Sequence, residues 1–145
     1  MAYKTRYKPI NESKYVGDPT NVICRSLWER KVCKYMDTNK NVLRWGSEEL
    51  AIPYVSPLDN KVHRYFPDFI AEIKAETGEV KTKIIEVKPY KQTIPPKMSA
   101  KPNKKYLTEV KAYGINEAKW IAAQNYCKDR GWDFKIMTEK ELGIK

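Results

Sequence analysis

Three residues in the middle of the chain have the types and spacing to do chemistry together: Asp68, then Glu86 after 18 positions, then Lys88. Two carboxylates can hold a divalent cation through hard oxygen ligands, and a neighbouring lysine can orient a water or offset developing negative charge. That combination suits metal-assisted hydrolysis of a phosphodiester. It requires the chain to bring Asp68 and Glu86 side by side, and the same residue types also suit a solvated ion-pair ladder. Glu72-Ile73-Lys74 has the same acid-x-Lys form as Glu86-Val87-Lys88, so spacing alone does not separate the two readings.

Whether the carboxylates meet depends on a hairpin. Arg64 to Lys74 reads as a strand, with Phe66, Asp68, Ile70 and Glu72 on one face and Tyr65, Pro67, Phe69, Ala71 and Ile73 on the other. A three-residue loop, Glu76-Thr77-Gly78, with Gly78 left-handed, pairs Ala75 with Glu79. Counting back then sets Ile70 opposite Ile84 and Asp68 opposite Glu86, with Cβ atoms ~4.5–5.5 Å apart on one face that Lys88 shares. A two-residue Thr77-Gly78 loop would instead oppose Asp68 to Val87 and scatter the set. Opposed like charges destabilise a bare sheet, so the first register asks for a cation. Lys88 supplies part of it, and Mg²⁺ or Mn²⁺ would supply more.

The surrounding elements can be read in order. Ser26 to Asp37 (SLWERKVCKYMD) is a helix whose apolar stripe is Leu27, Trp28, Val32, Tyr35 and Met36, ended by Asn39. Ser26 is its N-cap, and Glu29, read locally, is the reciprocal partner in a capping box. Ser47 to Val55 (SEELAIPYV) is a strand in which Pro53 marks an edge or bulge. Pro89 to Asn103 holds four prolines and should be an extended loop. A helix starts at Lys104, breaks near Gly114, resumes with Asn116 as N-cap, buries Trp120, Ala123 and Cys127, and ends at Gly131. Trp132 to Met137 is a strand, and Thr138 to Glu141 a capping box opening a last short helix. The order is helix, three strands, helix, strand, with the final strand parallel to an earlier one after a right-handed crossover. This is an α/β sandwich around a mixed sheet.

At 145 residues the chain is long enough for one domain with its own core. Lys and Arg total 28 against 18 Asp and Glu, a formal charge of +10, which points to a polyanionic partner; ribosomal and membrane-surface proteins share that property. Cys24, Cys33 and Cys127 lack C-x-x-C spacing, which argues against disulfide and zinc frameworks and for core positions in a reducing compartment. No apolar run approaches the ~18–20 residues of a membrane span, so a soluble protein is expected. Residues 1–24 carry Lys4, Arg6, Lys8 and Lys14 among Tyr3, Tyr7 and Tyr15, interrupted by Pro9, Gly17 and Pro19. They read as an irregular basic arm that either tracks a nucleic-acid backbone or packs along the domain through its tyrosines. Between Lys81 and Lys111, nine lysines face two acidic residues, Glu86 and Glu109. Of these, Lys91, Lys97, Lys101, Lys104, Lys105 and Lys111 are the candidate DNA-binding residues, neutralising phosphates without sequence preference. His63, the one histidine, reads as a turn residue, and Gln92 lies close enough to the second strand to touch DNA or the site.

Pro67-Asp68 followed by Glu86-Val87-Lys88, within this element order, resembles the PD-(D/E)xK nuclease signature. That resemblance implies an α/β, restriction-endonuclease-like αβββαβ core, a mixed sheet flanked by helices, as one nuclease domain over residues 1–145. It also draws in Glu29, because many members place a glutamate on the preceding helix. KYVGDPTNVICRSLWER, WGSEELAIPYVSP, RYFPDF, EVKPYKQTIPP and NEAKWIAAQNYCKDRGWDFKIMTEKEL extend the likeness to nearly the whole chain, which is similar to the head completion nucleases of T-even-like bacteriophages. The likeness implies a Mg²⁺- or Mn²⁺-dependent deoxyribonuclease with Glu29, Asp68, Glu86 and Lys88 catalytic. The implied ligands are Asp68, Glu86, the Val87 backbone carbonyl and Glu29 through water. DNA and phage head or neck proteins are the implied partners, in the cytoplasm of an infected host during assembly and then in association with the virion. The E-V-K-P ending also resembles the end-cleaving subunit of certain bacterial transposons. A virion connector that binds DNA without cutting it is the non-enzymatic alternative.

Overall fold

The computed structural model describes residues 4–97 and 103–143. Its first elements are two short strands, β1 (Thr5–Tyr7) and β2 (Val22–Cys24), paired antiparallel, so the N-terminal arm is not irregular throughout as expected. Tyr7 and Tyr15 are buried against Trp45, as the packed-arm reading required. The Tyr15 and Trp45 rings meet edge to face, centroids 4.8 Å apart at 80°, a contact worth ~0.5–1.5 kcal/mol beyond its buried area.

Helix α1 (Leu27–Thr38) starts where Ser26 Oγ accepts the Glu29 amide at 3.1 Å and stops where the Asn39 amide donates to the Tyr35 carbonyl at 2.9 Å. Val32, Cys33 and Met36 form its buried stripe. The next strands are β3 (Val42–Ser47), β4 (Ile52–Val55), β5 (Val62–Tyr65), β6 (Phe69–Lys74) and β7 (Val80–Val87). They correct two expectations. The strand expected over 47–55 holds only at its ends: Ser47 closes β3, an unexpected strand of the main sheet, 48–51 are not strand, and β4 lies in a separate sheet where, among the described residues, it pairs with β5 alone. The strand expected over 64–74 is broken at Phe66-Pro67-Asp68, because Pro67 has no amide proton to continue a ladder. The break also moves Tyr65 to the face opposite Phe69.

Helix α2 (Lys104–Arg130) runs unbroken for 27 residues, from Asn103, whose side chain accepts the Tyr106 amide at 2.8 Å, to Gly131 in the left-handed conformation. The expected break at Gly114 does not occur. Gly114 costs the helix ~1 kcal/mol relative to alanine, which the burial of Trp120, Ala123 and Cys127 outweighs. Strand β8 (Asp133–Met137) lies parallel to β7, and α3 (Glu139–Leu142) opens with the predicted capping box at Thr138.

The main sheet has the order β3-β6-β7-β8. One face, carrying Trp45, Phe69, Ala71, Ile85 and Val87, packs on α1 and the N-terminal arm. The other, carrying Ile70, Ile84, Phe134 and Ile136, packs on α2 and the β4–β5 hairpin. All three cysteines are free and buried. Among the described residues no helix is long and apolar enough to cross a membrane.

Candidate active site

The loop between β6 and β7 has the three-residue form. The Ala75 amide donates to the Glu79 carbonyl at 2.8 Å, the Gly78 amide to Ala75 at 2.9 Å, and Gly78 takes φ +89°, where a side chain would be strained. The ladder then runs without a slip, Ile70 opposite Ile84 and Phe69 opposite Ile85, so Asp68 falls beside Glu86. The two carboxylates are laced into each other's strands. Asp68 Oδ2 accepts the Val87 amide at 2.7 Å, and Glu86 Oε1 accepts the Asp68 amide at 3.3 Å. Burial, followed by the negative charges of Glu86 and Glu29, pushes the Asp68 carboxyl up to about 9.

Glu29 reaches the same end of the sheet from the first turn of α1. Its capping contacts are long, 3.5 Å from the Arg25 amide and 3.4 Å from the Ser26 hydroxyl, so the cap holds the carboxylate loosely. Burial and the charge of Glu48 raise its pKa against these contacts. Lys88 follows β7, fixed by its amide donating to the Met137 carbonyl at 3.0 Å. Glu29 and Lys88 line one cleft of about 530 Å³, with Trp28, Pro89 and Gln92 among its walls. The four residues singled out from the sequence therefore gather at one end of the sheet, and Gln92 joins them.

Two further site residues escaped the sequence reading. Glu48, at the end of β3, holds φ +54°, donates its amide to the Asp68 carbonyl at 3.1 Å, and sets its carboxylate 3.0 Å from Arg25 Nε. Arg25 is thereby placed where its charge acts on Glu29. The only sequence signal for Glu48 is an acidic residue directly after an apolar strand; Arg25 offers none beyond preceding a helix cap. Tyr65 is buried with its hydroxyl facing Glu86, and its pKa is raised by burial and then by the charge of Glu86.

Other candidates sort differently. Glu72, the decoy acid, is 3.7 Å from Arg44 on the sheet surface. His63 lies in β5, not in a turn, 2.8 Å from Asp59 and exposed. Lys91, Lys97, Lys104, Lys105 and Lys111 are all solvent-exposed, Lys91 and Lys97 on the loop after β7 and the other three on the N-terminal part of α2; Lys101 lies outside the described residues. Among the described residues no three acidic, histidine or cysteine side chains converge into a ready-made cation cage, and Asp68 and Glu86 each accept a backbone amide. The donor set nevertheless fits a hard divalent cation. It is all oxygen, and the Asp68 carboxyl, raised by burial and then by the charges of Glu86 and Glu29, is a group whose ionised form a cation would favour.

A helix, three antiparallel strands, a crossover helix and a parallel strand, with acids from α1, from β7 and from the residue just before β6 at one sheet end, define a restriction-endonuclease-like nuclease. Residues 39–139 match the N-terminal domain of TnsA-like endonucleases, and the chain belongs to that family. Over 152 aligned residues, taking in 100% of this chain and 99% of the relative, it is 37% identical to the head completion nuclease of Enterobacteria phage T4. That alignment also spans the arm and α1, which the family match leaves out.

Proposed function

We propose that the protein is a PD-(D/E)xK deoxyribonuclease that hydrolyses DNA phosphodiesters with Mg²⁺ or Mn²⁺ and acts on packaged DNA during completion of a phage head, before the head joins the tail. The observation that carries the chemistry is the placement of Asp68 beside Glu86, with Glu29 and Lys88 lining the adjoining cleft. Asp68, Glu86 and the Val87 carbonyl would hold the ion, with Glu29 completing its shell through water. Once bound, it supplies Lewis-acid polarisation of the phosphodiester and a more acidic water. Lys88 would orient the attacking water and offset charge gathering on the phosphate. Arg25 keeps Glu29 from being the terminus of an unrelieved run of negative charge. The exposed lysines hold the DNA backbone without reading sequence, consistent with a charge of +10.

The whole-length relative favours head completion, and DNA, head and neck proteins are the partners this implies, in the infected host's cytoplasm and then at the virion. The TnsA-like match keeps one second reading, an end-cleaving subunit active only beside a partner transposase. Purified protein incubated with linear and circular plasmid should cut in Mg²⁺ or Mn²⁺ and not in EDTA; no cleavage with any divalent ion overturns the enzymatic reading. Phage carrying Asp68→Ala should accumulate heads unable to join tails. Finished heads from that phage would instead establish a non-catalytic connector.

A further inference from the structure

Gln92 belongs to two depressions. One is the cleft of Glu29 and Lys88; the other is a groove of about 540 Å³ between the loop after β7 and the N-terminal half of α2. Ile94, Pro95 and Pro96 form one wall, and Ala112 and Tyr113 the other. Lys91 and Lys97 bring positive charge to the loop side, whereas Glu109 on the helix side disfavours an anion within. A space of this size suits a single nucleotide and is far too narrow for a duplex. Flat apolar walls with an aromatic ring, flanked by lysines, are what an unpaired base and its phosphates require: stacking on the ring and backbone neutralisation outside.

We propose that this groove receives one unpaired nucleotide of the substrate strand, its base between Tyr113 and the two prolines and its phosphates on Lys91 and Lys97. The strand continues past Gln92 into the cleft of Glu29 and Lys88. The protein then engages DNA where a strand is frayed, tailed or single, which deepens and rests on the nuclease reading. Exclusion of phosphate by Glu109 gives the nucleotide its orientation, base inward.

Fluorescence anisotropy in EDTA tests this with two labelled DNA hairpins, one blunt and one carrying a tail of about six unpaired nucleotides, within known single-strand site sizes. The wild-type protein should bind the tailed hairpin about 5- to 150-fold tighter, the range that stacking one base supplies. Tyr113→Ala, which removes the ring, and Ala112→Trp, which fills the groove from an exposed position, should each abolish that preference and leave blunt binding unchanged. A wild-type protein without tail preference, or a preference that survives both variants, overturns the proposal. Plasmid cleavage separates it from the nuclease reading: cutting without tail preference refutes the groove alone, and a variant-sensitive preference without cutting refutes the nuclease alone.

Discussion

Two largely buried aspartates sit in the same small protein under opposite conditions. Asp37, at the end of α1, is fully buried and accepts hydrogen bonds from the Tyr7 hydroxyl at 2.7 Å, the Ile10 amide at 2.7 Å and the Asn11 amide at 3.0 Å. Burial pushes its pKa up, but those donors and the charge of Lys14 outweigh it, and the carboxyl titrates below its usual range. Asp68 accepts one short bond, from the Val87 amide, and burial, followed by the charges of Glu86 and Glu29, drives its carboxyl up to about 9. A buried carboxylate supplied with donors is a structural tie, here fastening the N-terminal arm to α1. A buried carboxylate facing other carboxylates is a site in need of a cation, and it marks where function resides.

Exchanging each for a neutral side chain should break the molecule in different ways. Asp68→Asn should lower DNA cleavage about a thousandfold, ~4 kcal/mol of transition-state stabilisation at 1.36 kcal/mol per decade. Its thermal stability in EDTA should hold or rise, because the change removes repulsion; a fall in both activity and melting temperature would mean that Asp68 is a structural residue. Asp37→Ala should do the reverse. It strands the Tyr7 hydroxyl and two amides, and urea unfolding should show a loss of about 2–4 kcal/mol, limited by how far the freed arm reaches water. Specific activity per folded molecule should stay near wild type.

The contrast also explains what the sequence could reveal. The Asp68–Glu86 register was legible because it depends on one local event, the left-handed Gly78 loop, and alternation carries it along a regular ladder. The caps at Ser26 and Thr138 were legible for the same reason. Strand β3 was not, because a register shift between Val42 and Arg44 leaves both Leu43 and Arg44 exposed and destroys the period-two signal. Helix α2 ignored Gly114 because anchors a turn or more away decide its course. Asp37 and Glu48 draw their roles from partners 26 to 30 and 23 residues away respectively, distances at which sequence pattern carries no information.

Titration should separate the two aspartates without any mutation. Native Asp68 keeps a proton that the unfolded chain releases between 3.8 and about 9, so in EDTA its contribution to stability is lost as pH rises through that window. Glu29, also raised, acts in the same direction. Asp37, lowered, contributes stability that is present above the ordinary aspartate range and lost as pH falls below it. Melting temperatures across pH in EDTA should therefore decline on both sides. Asp68→Asn or added Mg²⁺ should flatten the alkaline decline, and Asp37→Asn the acid one. An alkaline decline unchanged by Asp68→Asn would assign that limb to other groups.

Glu48 lies between these extremes, a carboxylate near the site that already has its cation in Arg25, and it should give the smallest effect. The pair is partly exposed, 54% and 27% of the two side chains, so screening limits it to ~0–1 kcal/mol. Holding a non-glycine residue at φ +54° costs about 1 kcal/mol. Glu48→Gly loses the first and relieves the second, so its unfolding free energy should lie within about 1 kcal/mol of wild type, whereas Glu48→Ala keeps the strain and should be the less stable by about 1 kcal/mol. If glycine and alanine prove equal, the backbone at Glu48 is unstrained. The Glu48 amide donating to the Asp68 carbonyl at 3.1 Å, kept in both variants, would then hold this turn against Asp68 without backbone strain.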